Sequence, residues 1–331
     1  MSISKRKSKR TSSRGKRRGK KSFIFNGLKQ SILAVSVLLI LSLCLGVLIH
    51  NALKKSVSPP APLASVPEIL RVPIHPPPQI TPPIYEVFPK TETPPVQPII
   101  PPKHLPEGKL PKVAIIIDDM GYNEQIASRF IQLKAAVTFS ILPFSPHERQ
   151  VAQLANENGI ELMLHLPMEP IEYPGINPGP GALLERMSPD VLLHQLNDDL
   201  DAVPYIKGVN NHMGSRLTAS SDQMNQICSV IKRRHLFFID SKTTSKSKVA
   251  SSARLFHVPY AERDIFLDNV QDADAIRKQI QLLIQKALRN GYALAIGHPH
   301  KITCQVLQEE LPELNRKVQI VPASELVHSA G

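Results

Sequence analysis

The chain has 331 residues, and its formal charge of +12 comes from one end. The first 55 residues carry 14 of the 40 Lys and Arg and no acid, which leaves 26 bases against 28 acids over the rest. A remainder so close to neutral argues against a broad nucleic-acid-binding face, and the basic tail needs another explanation.

That explanation comes next in chain order. Residues 1–30 form the basic tail, and Ser31–Ile49 is a stretch of 19 residues without a charge, just long enough to cross a bilayer as a helix. A cleaved signal peptide has a shorter apolar region that ends in small residues, and Ile49–Ala52 is a poor match to such a site. The reading is an uncleaved single-pass anchor over residues 31–50. The basic excess upstream keeps the amino terminus in the cytoplasm and meets anionic lipid headgroups. Residues 51–111 follow as a linker, in which 18 of the 31 prolines fall between Pro59 and Pro111. Proline at this density removes backbone donors and favours an extended, semi-rigid spacer.

From residue 112 to 331 the pattern changes to alternating strand and helix signals. Val113–Ile117 is a continuous apolar run that ends in Asp118 and Asp119, as expected for a strand buried on both faces. Further strand candidates are Val137–Leu142, Glu161–Leu166, Gly208–His212, Leu236–Asp240, Asp264–Leu267, Ala293–Gly297 and Val318–Val321. Between them, a polar–apolar pattern over Glu148–Asn158 closes on Gly159, and Ser188-Pro189 opens a helix. Asp274 starts another, with Ile276, Ile280, Leu283, Ile284, Ala287 and Leu288 on one face and a stop at Asn290-Gly291. The alternation predicts an α/β barrel of seven or eight mostly parallel strands; local pattern leaves its closure open. Cys228 and Cys304 could pair, or remain separate buried thiols.

The residues at the strand ends carry the chemistry. They are Asp118 and Asp119, His165, His212, Asp240, Asp268, and His298 with His300. In a parallel barrel these ends converge on one mouth, and carboxylate plus imidazole suits zinc and related divalent ions. Each residue alone has a plainer role, as a helix cap or a satisfied polar side chain. Three strand-end histidines beside an Asp pair weigh against that reading.

Six stretches carry a family resemblance: Ile115–Gly121, Leu164–Pro170, Gly208–Ser215, Phe238–Ser241, Arg263–Asn269 and Ala295–His298. Residues from about 112 to 325 resemble the divergent polysaccharide deacetylases, a bacterial envelope branch of the NodB-homology carbohydrate esterases. The resemblance, which leaves the span and the linker outside it, implies a NodB-like (β/α) barrel that acts on acetylated polysaccharide with a divalent metal, zinc being the first choice; the anchor read above would place that domain in the periplasm, tethered to the inner membrane. By the same resemblance Asp118 matches the catalytic base, Asp119 the metal-binding acid, His165 the first metal-ligand histidine and His298 the general acid. Glu169 occupies the position of the second ligand histidine, so His212 is taken as the third ligand with Glu169 in reserve. Asp240 is assigned to orienting a ligand or a substrate hydroxyl. The parent family's Arg and Trp motifs are not recognisable, and the chain has no Trp. A non-catalytic envelope protein that binds a glycan or a protein partner through the same pocket is the alternative.

Overall fold

The computed structural model describes residues 109–328, together with Ser42, which is helical and exposed. The basic tail, the anchor apart from Ser42, and the linker up to residue 108 lie outside the described residues. Among the described residues no helix is long and apolar enough to cross a membrane.

The predicted first strand becomes β1 (Lys112–Met120), buried at every position after Lys112. It extends three residues beyond the apolar run because both acids are themselves buried in the sheet. On one side follow β2 (Thr138–Ile141), β3 (Glu161–Met168), β4 (Gly208–Met213), β5 (Phe237–Asp240) and β6 (Tyr260–Glu262). On the other side lie β8 (Tyr292–Gly297) and then β7 (Ile265–Phe266), while β9 (Gln319–Ile320) pairs with the first residues of β1. Every one of these ladders is parallel. The ends of the hydrogen-bonded path, β6 and β7, are joined by the two residues Arg263 and Asp264. No ladder pairs them among the described residues. The predicted barrel is therefore a nine-stranded, parallel half-barrel. All eight strand candidates are present, and β6 is the addition.

Seven helices connect the strands: α1 (Glu124–Gln132), α2 (Glu148–Glu157), α3 (Pro189–Ala202), α4 (Ser221–Arg233), α5 (Val249–Leu255), α6 (Ala273–Asn290) and α7 (Lys301–Lys317). Their ends follow local chemistry. The Asn123 side chain accepts from the backbone N–H of Gln125 and Ile126 and caps α1. Asp272, two residues before the predicted start, caps α6 by accepting from the N–H of Asp274 and Ala275. That helix stops where Gly291 turns left-handed at φ 87°. Its predicted stripe is buried from Ile276 to Ala287, whereas Leu288 remains 47 % exposed.

Alternation along the strands divides the apolar residues into two groups. Ile115, Ile117, Leu164, Val209 and Phe238 point outward and pack beneath the helices in the larger core. Ala114, Ile116, Met163, Phe237, Ile239 and Ile296 point inward and fill the half-barrel. Burying one such Ile or Phe side chain contributes about 1.5–3 kcal/mol. The inner filling comes from β1, β3, β5, β7 and β8, and the carboxyl ends of β1, β3 and β4 carry the site. Cys228 and Cys304 are separate buried thiols.

Candidate metal centre

Strict alternation would send the adjacent Asp118 and Asp119 to opposite faces of β1. Ala114 and Ile116 face inward, so Asp118 follows them. Asp119 is brought round by a local break: its φ is 53°, and the β1–β2 register shifts between Ile117 and Met120. A bulge of this kind re-aims a side chain, and a positive φ at a non-glycine residue is strain held by its surroundings. Gly121 completes the turn. Its φ is 114°, and a Cβ there would strike Ser145 Oγ.

His165 from β3 and His212 from β4 meet Asp119 in a buried triangle. His165 Nε2 lies 3.2 Å from Asp119 Oδ1, His212 Nδ1 lies 3.1 Å from the same oxygen, and the two nitrogens are 3.1 Å apart. Four tetrahedral ligands at about 2.0–2.1 Å from an ion stand about 3.3 Å from one another, close to these edges. Both Asp119 oxygens are buried without a hydrogen bond of acceptable geometry, although two imidazole nitrogens sit within reach. Buried carboxylate oxygens left this way are expected where a cation completes them. The residues present therefore fit a small divalent ion.

Around the triad the other charged groups take distinct states. Burial raises the Asp118 carboxyl above its ordinary value; the nearby His165 and His298 offset this in part, and the like charge of Asp119 adds to it. Burial would also raise Asp119, but the imidazoles of His212 and His165 outweigh it and hold that carboxyl well below the usual range. For His298, burial pulls the imidazole down, yet the Asp268 carboxylate, with Asp119 and Asp118 behind it, raises it to about 9. Asp268 is built for that task. Its Oδ1 meets His298 Nδ1 at 2.8 Å, and its Oδ2 accepts from His298 N–H and Thr303 Oγ1, each at 2.7 Å. Asp268, His298 and His300 also stand at metal-ligand spacing. The Asp268 oxygens are already engaged, so an imidazole–carboxylate dyad describes this group better. A cavity of about 20 Å³, bounded by Asp118, His165, His212, Ser241, Phe266 and His298, lies beside the triad. That is room for about one water-sized occupant.

Asp118, Asp119, His165, His212 and His298 are thus brought together. The geometry moves Asp240 away from its expected part and leaves the reserve candidate Glu169 aside. Asp240 belongs to the outward face with Phe238, and its carboxylate accepts from Lys242 N–H and Ser247 Oγ; neither a ligand imidazole nor the cavity is its partner. Its neighbour Ser241 reaches the cavity instead. Glu169 is occupied elsewhere, with Oε2 accepting from Glu185 N–H at 2.6 Å and Oε1 3.3 Å from Arg216 Nε, so the reserve ligand stands outside the triad. Sequence reasoning missed Asn210 and left Asp268 without a role. Asn210 was within reach of the same logic, since it lies two residues before His212 and shares its face.

Fold and site together define a parallel α/β half-barrel with a buried carboxylate–imidazole triad at the carboxyl ends of its strands. The chain belongs to the divergent polysaccharide deacetylase family, which it matches over residues 115–327. It is 35% identical over 217 residues to the uncharacterized protein YibQ of Escherichia coli (strain K12), covering 66% of this chain and 67% of that one. An uncharacterized protein of Haemophilus influenzae (strain ATCC 51907 / DSM 11121 / KW20 / Rd) is 33% identical over 210 residues, 63% of this chain and 74% of its own. Among solved structures, the uncharacterized protein ATU2773 of Agrobacterium tumefaciens C58 is 25% identical with a TM-score of 0.64, over 68% of this chain and 93% of its own.

Proposed function

We propose that the chain is a metal-dependent deacetylase acting on acetylated envelope polysaccharide, anchored in the inner membrane through residues 31–50 with its carboxyl-terminal domain in the periplasm. The observation that carries the catalytic reading is the triangle of Asp119, His165 and His212, with edges of 3.1–3.2 Å, beside the Asp118 carboxyl and the His298 imidazole bound to Asp268. The anchor rests on the 19 uncharged residues behind a basic tail. Zinc is the ion we favour, because two imidazoles and one carboxylate suit it and leave a position for water.

When bound, such an ion would acidify a water and polarise an acetyl carbonyl. The residues of the chain do the rest. Asp118, its carboxyl raised by burial, takes the proton as the water oxygen adds to the carbonyl carbon. His298, held protonated by Asp268, gives its proton to the departing nitrogen or oxygen as the bond to the acetyl carbon breaks and acetate is released. The small cavity has no room for a sugar ring, so the glycan would lie across the mouth.

The test is acetate release from acetylated polysaccharide fragments by the metal-loaded chain, compared with Asp118→Asn. Release by the native chain and its loss in the variant supports the reading. A metal-loaded chain that releases no acetate from any acetylated glycan sinks it and leaves glycan binding as the function of the pocket.

A further inference from the structure

Asn210 touches both halves of the proposed machinery, and the scheme above gives it no part. It is fully buried in β4 on the face of His212. Its carbonyl oxygen is 2.9 Å from His165 Nδ1 and also accepts from the Ser140 hydroxyl. Its amide nitrogen donates to both carboxylate oxygens of Asp118, at 2.9 and 3.0 Å, and reaches Ser241 Oγ at 3.3 Å. A single planar amide therefore bridges a metal-ligand candidate and the proton acceptor.

The surroundings force the orientation of that amide. Turned over, its carbonyl would face two carboxylate oxygens, acceptor against acceptor, and its NH2 group would displace the acceptor that Ser140 and His165 use. In the orientation that satisfies every partner, His165 Nδ1 carries a proton. Nε2 then presents its lone pair to the position between Asp119 and His212. An imidazole fixed in this way is what a metal ligand requires of its second nitrogen.

We propose that Asn210 is a positioning residue with two separable duties, its carbonyl fixing the His165 tautomer and its amide nitrogen holding Asp118 against the site. The proposal rests on the metal-dependent reading above, and its test can fail separately from that reading. The full chain, native and as Asn210→Asp and Asn210→Ala, is measured for zinc affinity by chelator competition and for kcat on acetylated glycan. The His165 Nδ1–H resonance is followed in the zinc-loaded state with labelled histidine. Asn210→Asp keeps an oxygen for His165 and loses the donor to Asp118. It should hold zinc within about threefold of native and retain a slowly exchanging Nδ1 proton, while kcat falls about 10²–10⁴-fold. Asn210→Ala loses both contacts, so zinc affinity should fall about 10–100-fold and the proton should exchange freely. The proposal is overturned if Asn210→Ala holds zinc like the native chain, if Asn210→Asp loses zinc as severely as Asn210→Ala, or if Asn210→Asp keeps native kcat. Should Asn210→Ala fail to fold, the split between affinity and kcat in Asn210→Asp decides alone. A native chain that binds no zinc would instead remove the metal-dependent reading itself.

Discussion

Removing the charge of Asp268 tests the acid half of the scheme. Asp268→Asn leaves an oxygen that can face His298 Nδ1, but it takes away the charge that leads in raising the imidazole to about 9. A cation in the triad would cancel the share due to Asp119, which leaves Asp268 as the main support in the loaded protein. Without it, only the Asp118 carboxylate still opposes burial, and the imidazole should fall toward 6.5, its ordinary value. At about pH 8, a group of pKa about 9 is roughly nine-tenths protonated, and one of 6.5 roughly one-thirtieth. Turnover at that pH should therefore fall by up to about 30-fold, with the alkaline limb of the profile displaced downward by up to about two and a half units. The substitution also turns an NH2 group toward His298 N–H and Thr303 Oγ1, which both donate to Oδ2 in the native chain. That mismatch costs about 1–3 kcal/mol of stability. The shape of the profile, measured as acetate release between pH 6 and 10, is thus the readout, and its height is not. Stability gives a second handle. His298 has a raised pKa in the folded state, so its contribution is complete below the unfolded value of about 6.5 and lost as pH rises through about 9. The melting difference between native and variant should shrink over that window. An alkaline limb that does not move in Asp268→Asn would refute the dyad.

Three further outcomes follow from the same geometry. Asp118→Asn should keep metal affinity within a few-fold and lose about 10²–10⁴-fold in turnover, measured by metal titration beside acetate release; loss of the metal would make Asp118 a ligand. Zinc at about 100 times its Kd should add about 2.7 kcal/mol to folding. For a domain of this size that raises Tm by about 5–11 °C, reversed by chelation, whereas identical melting with zinc and with chelator would count against a structural site. Glu169→Gln should leave metal affinity unchanged and cost about 1 kcal/mol, because its ion-pair partner Arg216 is 39% exposed and screened. A large fall in metal affinity there would restore Glu169 as a ligand.

The fold was legible wherever a local period announced it. The buried run of β1, the helix closing on Gly159 and the stripe of α6 each carry their own signal. β6 does not, because Tyr260–Glu262 is three half-buried residues behind Pro259, and no apolar run marks it. Nor does closure, since whether β6 meets β7 depends on the pairing of distant segments. The site was legible as a set of strand ends, because acids and imidazoles rarely interrupt buried strands without a reason. What strand ends alone do not reveal is the face. Phe238 and Asp240 share a parity that points under the helices, which a check of alternation would have shown. Asp119 goes the other way: alternation would have excluded it, and only the bulge and its positive φ bring it beside Asp118. Asn210 carried only a positional signal, its parity with His212, because a neutral amide in a strand reads first as a hydrogen-bonding filler.

The most direct measurement is the metal content of the purified full chain and of Asp119→Ala, His165→Ala and His212→Ala, each dialysed against the same trace of zinc. The account predicts one divalent ion per native chain and near-complete loss in every variant that still folds. A native chain that carries none, or variants that carry as much as the native chain, would contradict it.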